Sequence, residues 1–466
     1  MFSNKIFSSI RPLFLIWMLS SSIMLTLAFF NNGAANDDHI EVAELIYNHK
    51  KNPEPQDCWQ CYHPKFYHVT GATFSRLFDI KPRENRIILY QMMNAITGIL
   101  TLLICLFFIS KQPFSKDIQC LAFSVVAFNP RFIAINAQAS NDAFIILFST
   151  IILYALYKLM EKPSLKYFSI LVITSILAGM TKGNSLILFF GVVIVFLLKI
   201  LRSKKLNLLT VKHYFLFLLL YLIISISSIA YFGGYYHTYQ KYGKPIVYNT
   251  PITDFPDLFY KTTFRRPGIR SIAEGYFTFR WIDLIQHPMI SDSPQNYPMH
   301  QTSLWSQLYG RAHFIYFDNW PPGAWQSKNP RMLNVGSMTL VLAILPTLLL
   351  VLGFFKEIKN WISVFFRKKY IKLDYQNWIF PIFILGFLFF ILLFTAKGRD
   401  FSFMKIIYLY PCILAALIPL LNGFKMANNF LQKNKSFLFI FHVLMVSLLI
   451  FYFIPILDLL IKLIYL

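Results

Sequence analysis

The sequence predicts an all-α polytopic membrane protein with about eleven transmembrane helices, in a range of about ten to thirteen. Of its 466 residues, 56% are hydrophobic and only 14% are charged, whereas soluble globular chains carry about 25% charged residues. About eleven apolar runs approach the roughly 20 residues that a helix needs to cross a bilayer. These runs are 13–30, 87–109, 118–135, 143–160, 165–180, 185–201, 213–231, 336–355, 378–396, 404–421 and 437–457.

The distribution of basic residues predicts how these helices are oriented. The formal net charge of +23 would suit either a nucleic-acid partner or the positive-inside bias of membrane proteins. Lys and Arg residues cluster at 111–116, 199–212 and 356–372, and these connections all fall on one side when the N-terminus is inside. The sequence therefore predicts an integral, multi-pass protein with basic cytoplasmic connections and no nucleic-acid partner.

The first apolar run is either a retained helix or a cleaved signal peptide. Lys5 and Arg11 precede it and the small residues 33–35 follow it, as in a signal peptide. The run is longer than the usual apolar region of about 7–15 residues in such a peptide. We therefore expect a retained helix.

The chain is predicted to form a single integral membrane domain over 1–466, with two long exoplasmic loops. The first loop, 31–86, contains the adjacent acids Asp37 and Asp38. Apolar residues at helical spacing after them predict an amphipathic surface helix. Carboxylates at its N-terminus would cap free N–H groups, which is the purely structural explanation of the pair. The second loop, 232–335, is rich in aromatic residues.

Polar residues at the outer helix ends form a second pattern. Amide and acid groups occur in the turn that ends with Asn141 and Asp142, and cations follow two later helix ends. A carboxylate near cations suits a reaction in which a base activates a hydroxyl and a phosphate leaves as an anion. Structural alternatives are an N-cap role for Asn141 or Asp142 and snorkelling for Lys182. The outer cations are Lys182, Lys397, Arg399 and Lys405.

Cys58 and Cys61 are the two cysteines of the first loop. In an oxidising compartment they would form a disulfide. With His63 and His68 they would alternatively bind zinc, or they would remain unpaired thiols. The disulfide is the preferred interpretation.

Four short stretches, taken in order, carry a resemblance to a known family. They are Asp37-Asp38 after the first helix, 61–67 (CYHPKFY), 140–142 (SND) at the start of the fourth helix, and 181–183 (TKG). The chain resembles the GT-C glycosyltransferases that use polyprenyl-phosphate sugars, the clan of protein O-mannosyltransferases and lipid A aminoarabinose transferases. Pro64-Lys65 stands where relatives often have two prolines.

This resemblance implies the roles of individual residues. Asp38 or Asp37 would be the catalytic base, with Asp38 preferred because it lies nearer the surface helix. The donor phosphate would be bound by Lys182, Lys397, Arg399 and Lys405. The remaining substrate contacts would come from His39, His63, Asn141 and Asp142. No cofactor is required by this scheme, and a divalent metal is an open alternative.

The predicted function is therefore transfer of a sugar from an undecaprenyl- or dolichyl-phosphate donor to a lipid, glycan or protein acceptor at the exoplasmic face, with inversion. This is an activity of cell-envelope assembly or protein glycosylation. A lipid-linked-sugar flippase is the first alternative, but transporters place ionisable residues near the bilayer midplane and often contain repeats. A non-catalytic membrane scaffold is the second. The one N-glycosylation sequon, at Asn434, is on the predicted inner side, which favours the bacterial cytoplasmic membrane over the endoplasmic reticulum.

Overall fold

The fold is described from a computed structural model. The structure describes residues 2–31, 39–203, 208–247, 272–289, 302–317, 323–327, 329–366, 376–398 and 404–465. Within these ranges the regular structure is helical, apart from one isolated bridge between Phe317 and Gln326. The predicted all-α fold class is confirmed.

Helices of two kinds alternate along the chain, long apolar ones and short ones in the outer loops. The first half contains α1 (Phe2–Phe30), α2 (His39–His49), α3 (Phe66–Leu77), α4 (Arg83–Ser110), α5 (Lys116–Ala127), α6 (Pro130–Asn136), α7 (Asn141–Glu161), α8 (Leu165–Thr181) and α9 (Leu186–Ser203). The second half contains α10 (Leu208–Phe232), α11 (Tyr235–Tyr242), α12 (Ile272–Phe277), α13 (Trp281–Gln286), α14 (Leu304–His313), α15 (Pro330–Phe366), α16 (Gln376–Gly398), α17 (Ile413–Leu431) and α18 (Lys435–Tyr465).

In the part of the chain that the structure describes, 9 helices are long and apolar enough to cross a membrane. The pair α5–α6 also qualifies if it is counted as one span bent by 51°, and α8 is a shorter apolar helix. All the predicted apolar runs therefore correspond to helical structure, and the protein is an integral, multi-pass membrane protein. We call the ends at which Asn31, Asn141 and Gly398 lie the outer ends, following the charge distribution.

Two predicted spans differ from the structure. The run 118–135 is broken, because Pro130 begins a new helix whose N-terminus is capped by the side chain of Asn129, which accepts from the Phe132 N–H at 2.9 Å. The run 404–421 begins later than predicted. Two 3₁₀ turns, Ile406–Tyr408 and Tyr410–Cys412, precede α17, and Pro411 supplies no N–H for an earlier helix start.

Glycines allow α15 and α17 to approach backbone to backbone. A Cβ atom at Gly353 would lie 1.8 Å from the carbonyl oxygen of Pro419, and one at Gly423 would lie 2.0 Å from that of Leu349. Small residues at such crossings are typical of membrane helix interfaces, where close packing supplies much of the association energy. The two helices cannot keep this distance if either glycine gains a side chain.

We expect Gly423→Ala to destabilise the protein by about 3 kcal/mol or more, because a backbone atom, unlike a side-chain end, cannot move aside. Thermal unfolding of the detergent-solubilised protein measures the effect. Gly386→Ala is the matched control, since it adds the same methyl group to another membrane helix and meets only the Ile187 Cγ2 atom at 3.2 Å. Equal melting temperatures of the two variants would contradict the prediction.

Candidate functional site

An ion pair joins the outer ends of α7 and α8. The Lys182 Nζ lies 2.5 Å from the Asp142 Oδ1, and the two side chains are only 11% and 6% exposed. Ser140 is the N-cap of α7: its Oγ accepts from the Asp142 N–H at 3.2 Å and donates to the Asp142 Oδ2 at 3.0 Å. The cap is therefore Ser140 and not Asn141 or Asp142. Both carboxylate oxygens of Asp142 have a defined partner.

Lys182 reaches this position because α8 ends there. Its backbone is extended (φ −157°, ψ 139°), and the 3₁₀ turn Gly183–Ser185 follows. The ammonium group also lies 5.8 Å from the ring centroid of Tyr408. Lys182 is thus buried against a carboxylate and an aromatic ring, and the snorkelling alternative is wrong.

Amide side chains fix the turn that leads into α7. The Asn94 Nδ2 donates to the carbonyl oxygens of Gln138 and Ser140, and the Asn141 Nδ2 donates to that of Thr181 at 3.4 Å. The Asn141 Oδ1 is buried and has no hydrogen-bond partner among the described residues. An unsatisfied buried acceptor of this kind is costly.

Three histidines from the first loop form a cluster, and one of them, His63, lies within the electrostatic field of Lys182. The His39 Nδ1 and the His68 Nε2 are 3.0 Å apart, and the ring centroids of His39 and His63 are 5.7 Å apart. Burial lowers the pKa of His63 well below its usual value, and the positive charge of Lys182 lowers it further. Burial likewise lowers the pKa of His68. His63 and His68 are therefore neutral at pH 7.

A disulfide joins Cys58 and Cys61, with a Cα–Cα distance of 5.0 Å. Because the two sulfurs are bonded to each other, the thiolate ligands of the zinc alternative do not exist. The bridge packs against Val42 and Ile46 of α2. Lys65 follows in the same stretch and donates from Nζ to the carbonyl oxygen of Cys61. Burial lowers the pKa of Lys65 to about 7, although the negative charges of nearby acidic residues act to raise it. The disulfide thus anchors the stretch that contains His63.

Some predicted site residues are not placed. Asp37, Asp38 and Arg399 lie outside the described residues, and of Lys397 only the backbone, in α16, is described. Lys405 is partly buried, and its carbonyl oxygen accepts from the N–H of Tyr408 at 3.2 Å. The ring of Tyr408 also faces Lys182. The short turn from Lys405 to Tyr408 therefore contains one predicted phosphate ligand, Lys405, and contacts another, Lys182.

A second buried ion pair was not predicted from the sequence. The Arg86 Nε donates to the Glu44 Oε1 at 2.8 Å, Arg86 Nη2 contacts the Oε2, and the Tyr90 hydroxyl donates to the Oε1 at 3.0 Å. The guanidinium also lies 4.1 Å from the ring centroid of Tyr47. The pair fixes α2 against α4. A signal was present: Glu44 occupies the same helical face as Ile40 and Tyr47, where an unpaired charge would be costly.

We expect Glu44→Gln to lower stability by about 3 kcal/mol or more, because the substitution leaves the charge of Arg86 buried without its counterion. The fall in melting temperature in detergent measures this loss. Glu41→Gln is the matched control, since Glu41 is the same residue type on the same helix but is exposed. We expect that variant to remain within about 0.5 kcal/mol of the parent protein. A Glu44→Gln variant as stable as the control would contradict the structural role of the pair.

The comparisons with known proteins agree with the resemblance that the motifs indicate. Residues 70–238 match a family described as "Dolichyl-phosphate-mannose-protein mannosyltransferase". The matched segment includes Asn141, Asp142 and Lys182, and it begins after the acidic pair and the disulfide. None of the curated proteins is a significant match to the whole sequence.

Among solved structures, the chain is similar to the S. cerevisiae protein O-mannosyltransferase Pmt1-Pmt2 complex bound to the sugar donor, with 13% identity, 55% of this chain and 36% of that chain covered, and a TM-score of 0.41. It is also similar to the Archaeoglobus fulgidus oligosaccharyltransferase in the apo form, with 12% identity, 96% of this chain and 56% of that chain covered, and a TM-score of 0.46. For ArnT from Cupriavidus metallidurans bound to undecaprenyl phosphate the identity is 11%, 88% of this chain and 76% of that chain are covered, and the TM-score is 0.36. The chain thus spans about a third to three quarters of these proteins. The match of residues 70–238 to the mannosyltransferase family is in line with the resemblance that the sequence motifs indicate.

Proposed function

We propose, starting from the match of residues 70–238 to a lipid-phosphate-mannose transferase family, that the protein is a membrane glycosyltransferase. It transfers a sugar from a polyprenyl-phosphate donor to a lipid, glycan or protein acceptor at the outer face. The observation that carries the proposal is the buried Asp142–Lys182 pair at the outer helix ends, with the neutral His63 in the field of Lys182. An anionic donor and a hydroxyl acceptor need charged and neutral polar groups of this kind side by side.

In the proposed reaction a carboxylate, Asp38 or Asp37, takes the proton of the acceptor hydroxyl. The acceptor oxygen forms a bond to the anomeric carbon while the bond from that carbon to the phosphate oxygen breaks. This single displacement inverts the anomeric configuration. The polyprenyl phosphate leaves as an anion, so the reaction needs positive charge more than a proton donor at that position.

The cations supply this charge. Lys182 contacts the donor phosphate from its place beside Asp142. Lys397, at the outer end of α16, and Arg399 and Lys405, which follow that helix in sequence, complete the phosphate site. An Arg in this set can make bidentate contacts to a phosphate. Asp142 keeps the Lys182 ammonium group in place before the donor arrives, so the charge does not have to be reorganised during the reaction.

The neutral groups contact the sugar or the acceptor. The unpartnered Asn141 Oδ1 accepts from a hydroxyl group, and His63, uncharged at pH 7, donates or accepts without adding charge. His39 directly follows the acidic pair and is held by its contact with His68. This contact fixes the end of the segment that contains the base. A divalent metal bound by the acids remains an alternative for this part of the site.

The experiment that tests the function is a transfer assay with the purified protein in nanodiscs. A panel of labelled undecaprenyl- and dolichyl-phosphate sugars is offered with lipid, glycan and peptide acceptors, and the anomeric configuration of any product is determined by NMR. We expect a glycosidic product with inverted configuration and release of polyprenyl phosphate. In sealed proteoliposomes, movement of the labelled donor across the bilayer with no product would refute the proposal and favour a transporter.

We place the enzyme in the bacterial cytoplasmic membrane, because the sequences of both long outer loops lack an N-glycosylation sequon. The donor is then undecaprenyl-phosphate-linked. The same assay tests this part of the proposal, since a preference for the dolichyl donors over the undecaprenyl donors would contradict it.

A further inference from the structure

Large exposed apolar side chains occur on the short helices α12 and α13 of the second outer loop and on the connection between them. The exposed fractions are 88% for Phe277, 72% for Ile282 and 49% for Phe279. Three such residues within six positions form an apolar surface that would be unfavourable in water. What these side chains contact is decided by their depth relative to the membrane helices.

The contacts with α15 give a first measure of this depth. At the outer end of α15, the last exposed polar residue is Asn334 and the first large exposed apolar residue is Met338. The Ser337 Oγ donates to the carbonyl oxygen of Ile285 in α13 at 2.6 Å. At 1.5 Å rise per residue, Ser337 lies about 4 to 5 Å beyond Asn334 towards the centre of the membrane. The end of α13 is therefore at the start of the lipid-facing part of α15.

The contacts with α16 give a second, independent measure. The Tyr276 hydroxyl donates to the carbonyl oxygen of Leu392. Leu392 lies five residues before Lys397, the first charged residue at the outer end of α16, and is therefore about 7 Å closer to the centre of the membrane. Leu393 beside it is 51% exposed and Phe389, one turn further in, is 63% exposed. On this helix too, α12 lies at the level where exposed apolar side chains begin.

We infer that α12 and α13 form an interfacial anchor in the outer leaflet, with Phe277, Phe279 and Ile282 inserted among the lipid acyl chains. Two membrane helices place the segment at the same level, and helices that lie at an interface bury their apolar face about 5–10 Å into this zone. The partner of the surface is therefore the hydrocarbon of the outer leaflet. The inference holds whichever reaction the protein catalyses.

The composition of the segment fits this position. Tyr276, Trp281 and Trp305 are aromatic residues with a polar atom, the type that is enriched at membrane interfaces, and the Trp305 Nε1 donates to the carbonyl oxygen of Tyr276 at 2.6 Å. The charged residues Glu274 and Arg280 form an ion pair with each other. This pairing reduces the cost of charges close to the apolar zone.

Spin labels test the anchor directly. Phe277→Cys and Ile282→Cys are made in a Cys120→Ser background, labelled with a nitroxide and reconstituted into nanodiscs of phosphatidylglycerol and phosphatidylethanolamine. Power-saturation EPR then compares collisions with oxygen, which concentrates in lipid, and with nickel-EDDA, which stays in water. The controls are Leu393→Cys, at a lipid-facing position of α16, and Lys51→Cys, at an exposed position of the first outer loop.

We expect both labels to collide with oxygen as often as the label at position 393, within about a factor of two, and to be protected from nickel-EDDA. Collision with nickel-EDDA at the level of position 51 would place the surface in water and overturn the inference. Protection from both reagents would mean that protein covers the surface, and would also overturn it. Because both native side chains are exposed, neither substitution disturbs the packed core.

Discussion

The Asp38→Asn variant is expected to lose most of its transfer activity while keeping its stability. A general base contributes about 10²- to 10⁴-fold to the rate of a reaction of this kind, and we expect the turnover number to fall by a factor in that range. The KM for the donor should change little, because the base contacts the acceptor. We expect the larger loss for Asp38→Asn and the smaller for Asp37→Asn, as judged by initial rates with the labelled donor.

The choice of Asn separates catalysis from helix capping. Asn caps a helix N-terminus about as well as Asp does, whereas Ala loses about 1 kcal/mol at such a position. A capping role alone therefore predicts that Asn variants are active and that Ala variants are less stable. Full activity of both Asn variants would contradict the assignment of either Asp37 or Asp38 as the catalytic base. Asp79→Asn is the matched control, because Asp79 is an acid of the same loop whose side chain is 78% exposed beside Lys81.

Removal of the positive charge of Lys182 is the second large effect. We expect Lys182→Met to raise the KM for the donor by about 10- to 100-fold, which corresponds to the loss of one charged hydrogen bond of about 1.5–3 kcal/mol. The variant should also be less stable, since Asp142 is buried and loses its counterion. Saturation kinetics and the melting temperature report these two effects separately.

A double variant distinguishes the two roles of Lys182. Asp142→Asn/Lys182→Met removes both charges and restores electrostatic neutrality, so we expect its stability to recover while its KM remains high. Recovery of both quantities would show that Lys182 serves only as the counterion of Asp142, which would contradict a phosphate contact. Lys241→Met is the control, because Lys241 is an outer lysine paired with Glu54 at 2.9 Å but is 44% exposed. Such exposed pairs contribute little to stability.

Much of the candidate site was predicted as a set of residues but not as a geometry. Asn141, Asp142 and Lys182 were identified from their place at the outer helix ends, yet Asp142 was assigned to the substrate and Lys182 to the phosphate. The structure joins the two side chains in one ion pair across 40 positions of sequence, and it leaves the predicted substrate roles as proposals. Nothing in the sequence specifies how α7 and α8 are rotated about their axes, and this rotation decides which side chains meet.

The sequence by itself determined the fold class, the order of the helices and the side on which the polar residues lie. These properties depend on the length of apolar runs and on the placement of Lys and Arg, and each run contributes independently of its neighbours. The amphipathic helix after the acidic pair followed in the same way from local spacing, and it is present as α2.

Only the tertiary structure decided the pairing of Glu44 with Arg86, the backbone contact at Gly353 and Gly423, and the depth of α12 and α13. Each of these depends on the distance and rotation between elements that are remote in the chain. Inside a membrane protein these quantities follow from the mutual packing of several helices and the partners of buried charges. Packing of this kind is a property of pairs of surfaces, whereas hydrophobicity is a property of single segments. For that reason the sequence pattern predicts the helices but not the contacts between them.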